Sequence, residues 1–152
     1  MRVLFVCSGN TCRSPLAQAV FRRLLDEVGR SDISVASAGT GAYEGAPASE
    51  GAYLVALEQG LDLSAHRARL LDRDLAGEAD LILTMGRGHL SRVDRLGGGD
   101  RAHLLGEYAG RGPEAEVKDP FGEDVEAYRA TLVHLTELLA GARDRLLAER
   151  PS

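Results

Sequence analysis

The apolar positions near the start of the chain change period at one point. Val3, Leu4, Phe5 and Val6 follow one another without a polar break, which predicts a short strand over residues 2–6 covered on both faces. Beyond a polar, glycine-containing stretch, Leu16, Ala17, Val20, Phe21, Leu24, Leu25 and Val28 recur at helical spacing. Ser14 is suited to be the N-cap of that helix, Pro15 its first residue and Gly29 its stop. A second strand is expected over residues 33–38, followed by a glycine-rich loop, 39–45, and a helix over 47–59. The apolar run Leu81, Ile82, Leu83 marks a third strand within 80–85, with a short helix over 86–93 and a weaker strand over 101–105. From 123 to about 148 the chain reads as a long amphipathic helix with Val125, Tyr128, Leu132, Leu135, Leu138, Leu139 and Ala142 on its inner side. Strands alternating with helices predict an α/β fold, an open four-stranded parallel sheet with helices on both faces. Ligands of such sheets bind at the carboxyl ends of the strands.

Length and composition narrow the picture. The 152 residues suit a single domain, 1–152, and 44% apolar with 27% charged residues is an ordinary soluble composition. A net charge of −5 leaves no basic footprint, so no nucleic-acid partner is expected and any anion site must be local. The opening apolar run is too short for a signal peptide and no stretch is long enough to span a bilayer, so the expectation is a cytoplasmic protein with no membrane partner. No internal repeat is found. Residues 109–118, with their glycines and Pro113, read as a loop able to move. His66, His89, His103 and His134 show no metal-ligand spacing among themselves or with the cysteines; all four read as structural, with His66 also able to support a site indirectly, and no metal is expected. Gly39, Gly41 and Gly45 have the wrong spacing for a dinucleotide fingerprint, so no cofactor is expected either.

The chemistry lies between the first strand and the first helix, in Cys7-Ser8-Gly9-Asn10-Thr11-Cys12-Arg13-Ser14. Both cysteines of the chain fall here, which argues against a disulfide framework and for reactive thiols. A backbone winding from a strand end into a helix N-terminus turns several N–H groups inward and forms an anion cradle. Gly9 and Asn10 tolerate the backbone angles this needs, and Arg13 offers a planar fork matched to phosphate oxygens. Among these donors the Cys7 thiol is expected to titrate below the free value of about 8.5 and to sit beneath a bound phosphoryl group for in-line attack. Ser14 would stabilise the thiolate as it leaves. An acid for the leaving group is expected on a loop over the cradle; Asp119, stiffened by Pro120 and followed by Phe121-Gly122, is the best candidate. Tyr43 could line the mouth.

Cys7, five residues, then Arg13-Ser14-Pro15, with Asp119-Pro120 near the far end, resembles the low-molecular-weight protein tyrosine phosphatases. Ser37-Ala38-Gly39, Ser64 to Arg69 and Leu81 to Met85 also look like family segments, so the resemblance covers nearly the whole chain. It implies a flavodoxin-like sheet, a cysteinyl-phosphate intermediate and no metal. It implies Cys7 as nucleophile, Arg13 as transition-state binder, Asn10 and Ser14 as loop supports, Asp119 as general acid, and Ser8, Gly9, Thr11, Cys12 and Phe121 around the phosphoryl group and substrate. It also implies Cys12 as a second thiol able to form a reversible disulfide with Cys7. Thr11, where an aliphatic residue is usual, and Phe121-Gly122, where two aromatic residues are usual, are similar to the bacterial protein arginine phosphatase branch. That branch implies phosphorylated proteins as substrates, phosphoarginine as the group removed and an opposing protein arginine kinase; the chain is expected to act as a monomer. Three alternatives stand beside it: a phosphotyrosine phosphatase, an arsenate reductase, which would need further redox cysteines, and a non-catalytic phosphoprotein-binding module, which would not need nucleophile and acid together.

Overall fold

The computed structural model describes residues 1–151 of the chain. Four strands, β1 (Arg2–Cys7), β2 (Ser34–Gly39), β3 (Leu81–Thr84) and β4 (Ala102–Leu104), form one sheet in the order β2-β1-β3-β4. Every pairing is parallel. Six helices connect or follow them: α1 (Arg13–Glu27), α2 (Glu50–Glu58), α3 (Arg73–Glu78), α4 (Arg87–Arg95), α5 (Leu105–Tyr108) and α6 (Val125–Glu149). This is the α/β architecture the periodicity predicts.

Strand β1 is central, and its lack of alternation follows from being covered twice. Val3, Phe5 and Cys7 point into a core shared with α1, α2, α5 and α6, while Leu4 and Val6 point into a second core with Leu71, Ala76, Ile82 and Val93. Phe5 meets Phe21 of α1 edge to face, ring centroids 5.4 Å apart, an arrangement that contributes about 0.5–1.5 kcal/mol beyond the area the rings bury. On α6 the expected inner side is buried from Tyr128 to Ala142, joined by Thr131 and Leu146. Among the described residues no helix is long and apolar enough to cross a membrane.

Local departures have local causes. Helix α1 starts one residue before Ser14, with Cys12 at the N-cap position and no side-chain cap; Ser14 is buried inside the first turn and its hydroxyl is committed elsewhere. The α2 helix begins at Glu50 rather than 47, because Ser49 Oγ accepts from Ala52 N–H and stops the helix extending backward. Helix α3 has no counterpart in the sequence pattern; Asp72 caps it by accepting from Leu75 N–H at 2.8 Å, and one buried residue, Ala76, leaves too little apolar periodicity to read. The short α5 likewise has none. Val28, placed on the inner face of α1 by spacing, lies at its C-cap and is exposed.

Two connections bring the site together. The carboxyl ends of β1, β2 and β3 adjoin, so residues following Cys7, Gly39 and Thr84 share one edge. The segment before α6 is pinned to that edge by Val117 N–H donating to Met85 carbonyl at 2.9 Å, which puts Asp119, far away in sequence, over the loop after Cys7.

Candidate active site

Residues 7–13 wind from the end of β1 into α1 with their carbonyls turned outward. The carbonyl of Cys7 accepts from Thr40 N–H, that of Ser8 from Gly41 N–H and that of Thr11 from Ser49 N–H, each at 2.9 Å. With these acceptors satisfied by neighbouring segments, the loop's N–H groups are left for its concave side. Gly39 makes the approach possible: a Cβ there would lie 2.5 Å from the Ser8 carbonyl oxygen and 2.9 Å from Asn10 N.

Asn10 is the keystone. It is fully buried and holds the left-handed conformation, φ 55°, which asparagine tolerates better than most side chains. Its Nδ2 donates to Ser14 Oγ at 2.7 Å and Ser37 Oγ at 3.0 Å, and its Oδ1 accepts from Arg69 N–H at 2.9 Å. Its own carbonyl is met by His66 Nε2 at 2.7 Å. Ser37 Oγ donates in turn to Gln18 Oε1 at 2.7 Å. Asn10 and Ser14 therefore stand behind the loop rather than in the cleft.

The cleft on the concave side measures about 510 Å³ and is lined by Cys7, Ser8, Gly9, Thr11, Cys12 and Arg13 of the loop, with Tyr43, Asp119 and Phe121 among the residues around its mouth. Cys7 is 2% exposed, and its Sγ lies 2.9 Å from Ser14 Oγ. Ser14 Oγ accepts from Asn10, which holds the hydroxyl where it can donate to the sulfur. Burial is the largest influence on the Cys7 thiol and pushes it up; the Ser14 hydroxyl and N–H, the Arg13 charge and the Asn10 N–H pull it down without overcoming burial. The donors alone, which are all the sequence shows, predict a depressed thiol. Desolvation, which depends on how the chain packs, reverses that balance.

Arg13 is 7% exposed. Its Nη1 donates to the Val117 carbonyl at 3.0 Å, and its Nη2 lies 3.5 Å from both Ser8 Oγ and Asp119 Oδ2. Its buried Nε has no partner among the described residues, and the guanidinium is anchored through Nη1 on the Val117 carbonyl. Asp119 is about half exposed; its Oδ1 accepts from Phe121 N–H at 3.1 Å, a turn that fixes the carboxylate relative to the mouth. Gly122 takes φ 81°, which a second aromatic residue at that position would hold only under strain. Both cysteines are free thiols. Cys12 is buried with its Sγ 3.2 Å from Ser49 Oγ and 3.5 Å from Tyr128 OH. Among the described residues no group of three histidine, cysteine or carboxylate side chains could hold a metal ion.

His89, structural by its sequence context, is set at the site by the fold. Its Nε2 lies 3.0 Å from Ser8 Oγ, and its Nδ1 accepts from Gly86 N–H at 3.0 Å. The only sequence signal for it is position: it follows β3 by a few residues, at the edge where ligands of parallel sheets bind.

The model of the low molecular weight phosphotyrosine protein phosphatase family matches residues 2–151. A protein-arginine-phosphatase of Geobacillus stearothermophilus is 36% identical over 151 residues, 98% of each chain. A solved structure of the YwlE arginine phosphatase, a cysteine-to-serine mutant with a phosphorylated active-site serine, superposes with a TM-score of 0.91 at 33% identity over 99% of both chains. A low molecular weight protein tyrosine phosphatase from T. tengcongensis does so with a TM-score of 0.87 at 38% identity, over 98% of this chain and 99% of that one. With its phosphate loop at the end of β1 and a match that runs nearly from end to end, the chain belongs to the low molecular weight phosphotyrosine protein phosphatase family.

Proposed function

We propose that this protein hydrolyses phosphoarginine in proteins through a cysteinyl-phosphate on Cys7. The observation that carries the reading is the convergence, in one cleft, of Cys7, Arg13 and Asp119, with Thr11 on the wall.

A dianionic phosphoryl group seated on the loop N–H groups and Arg13 takes the thiol proton of Cys7, so the sulfur meets it as a thiolate. The sulfur then attacks phosphorus in line, the S–P bond forms and the P–N bond to the guanidinium breaks. Protonated Asp119 gives its proton to the departing nitrogen. In the second half, Asp119 as carboxylate takes a proton from water, whose oxygen attacks the phosphorus; the S–P bond breaks, the sulfur recovers its proton from the phosphate and inorganic phosphate leaves. Arg13 and the loop donors stabilise the charge spread over the equatorial oxygens in both steps, and no step calls for a metal.

Thr11 supports arginine over tyrosine as the residue released, because a short polar side chain accommodates a broad, hydrophilic guanidinium better than an aliphatic one. Phe121, 70% exposed at the mouth, can flank that plane. The arginine phosphatases among the similar proteins support the same reading. The partners would be phosphorylated proteins and, in opposition, a protein arginine kinase. The second reading, phosphotyrosine, draws on the tyrosine phosphatase that is also similar. Catalytic efficiency of the reduced protein on matched peptides carrying phosphoarginine or phosphotyrosine, with Cys7→Ser as the blank, tests it. Preference for phosphoarginine is expected; preference for phosphotyrosine overturns the substrate assignment, and no turnover above the blank overturns the phosphatase reading.

A further inference from the structure

The His89 ring has its proton assigned by its surroundings. Gly86 N–H donates to Nδ1 at 3.0 Å, so the neutral ring carries its hydrogen on Nε2, and that N–H points at Ser8 Oγ, 3.0 Å away. Arg13 Nη2, a second donor, lies 3.5 Å from the same oxygen. A hydroxyl oxygen approached by two donors keeps its own proton for a third direction, and Ser8 lines the cleft. We propose that His89 is a positioning residue for phosphoryl transfer: by donating to Ser8 it turns the Ser8 hydroxyl proton into the cleft, toward an oxygen of the bound phosphoryl group. The proposal rests on the phosphatase reading above and deepens it.

The surroundings of the ring support the assignment. The turn that carries Gly86 and His89 is joined to the segment leading to Asp119, since Glu116 Oε2 accepts from Arg87 N–H at 2.7 Å and Val117 N–H donates to the Met85 carbonyl at 2.9 Å. The Val117 carbonyl in turn accepts from Arg13 Nη1 at 3.0 Å. His89 thus links the phosphate loop to the elements that hold the arginine and the acid. Protonation would set an Nδ1–H against the Gly86 N–H and a second cation beside Arg13. Burial and the Arg13 charge hold the imidazole below its ordinary value, with the charges of Glu116 and Asp119 pulling the other way.

The test compares His89→Ala, Ser8→Ala, the double variant and His89→Gln on a phosphoarginine peptide, together with nitrogen NMR of the histidine rings. His89→Ala and Ser8→Ala are each expected to lower kcat about tenfold, the scale of one lost hydrogen bond, and the double variant no further than the worse single. His89→Gln, which keeps a donor reaching Ser8, should recover most of the loss. Additive losses, or losses carried by KM alone, overturn the proposal. NMR should show the Nε2–H tautomer with a resonance that moves in Ser8→Ala, whether or not His89→Ala folds; an Nδ1–H ring, or one indifferent to Ser8, overturns the positioning role while leaving the phosphatase reading intact. No turnover by the unaltered protein would overturn that reading itself, and the role in phosphoryl transfer with it.

Discussion

Ser14 Oγ lies 2.9 Å from Cys7 Sγ, within reach to donate to a thiolate there, and Asn10 Nδ2 holds that oxygen in place by donating to it at 2.7 Å. The bond favours the thiolate and works against the burial that favours the thiol. In Ser14→Ala the midpoint for alkylation of Cys7 against pH should move upward, and kcat should fall by about tenfold or more, the scale of a hydrogen bond to a charged group. A midpoint that stays in place would show that the hydroxyl does not stabilise the thiolate.

Asp119 stands 3.5 Å from the buried Arg13, with its carboxylate set by the turn through Phe121 N–H. Asp119→Asn keeps the shape and removes the proton. Turnover of a phosphoarginine peptide should fall by roughly a hundredfold or more, the range for a lost general acid. Turnover of an aryl phosphate whose leaving group needs no proton should fall much less. Equal losses on the two substrates would assign Asp119 to binding instead.

Thr11 forms part of the cleft wall, its carbonyl held by Ser49 N–H at 2.9 Å. Thr11→Ile leaves that backbone contact in place and changes only the size and polarity of the wall. The ratio of catalytic efficiencies, phosphoarginine over phosphotyrosine, should drop. An unchanged ratio would remove the side chain from any role in selectivity.

Gly39 permits the closest approach of β2 to the phosphate loop. In Gly39→Ala the new Cβ would meet backbone atoms of Ser8 and Asn10, which cannot rotate away. Urea unfolding should show a loss of about 1–3 kcal/mol, typical of overpacking, and inhibition by inorganic phosphate should weaken with it. Stability lost with phosphate affinity intact would mean that the strain is absorbed outside the loop.

His66, His89 and His103 are each held below the ordinary histidine value, burial being the first cause in all three. Their folded forms are therefore neutral in a range where the unfolded chain, titrating near 6.5, binds protons. Stability rises with pH wherever the unfolded state holds more protons, so this contribution is complete above about pH 6.5 and is lost as pH falls below it. Thermal melts between pH 7.5 and 5.5 should show Tm falling on the acid side, with a shallower slope in His103→Gln, which lies away from the cleft. A flat profile would contradict the burial argument.

Much of this protein is written locally in its chain. The unbroken run Val3 to Val6 announces a strand covered on both faces, and the structure covers it with two cores. The helical spacing from Leu16 to Leu25 and from Tyr128 to Ala142 marks α1 and the buried face of α6. The phosphate loop is legible because its parts are contiguous: Gly9 and Asn10 for the turn, Cys7 and Arg13 at its ends, all within one short connection. Local signals fail where a side chain's use is decided from elsewhere. Ser14 has the chemistry of an N-cap, but Asn10 and Cys7 claim its hydroxyl. His89 has no neighbour in sequence that marks it, and only the parallel pairing of β1 with β3 carries it to Ser8. The same pairing, continued by Val117 on Met85, lays Asp119 beside Arg13 across more than a hundred residues. The state of the Cys7 thiol belongs to this second class: its donors are adjacent in the chain, whereas the desolvation that outweighs them comes from the packed core. Periodicity and turn chemistry are short-range and can be read in order along the chain; burial, long-range hydrogen bonds and the approach of Asp119 to Arg13 depend on which strands pair, and only the tertiary structure decides them.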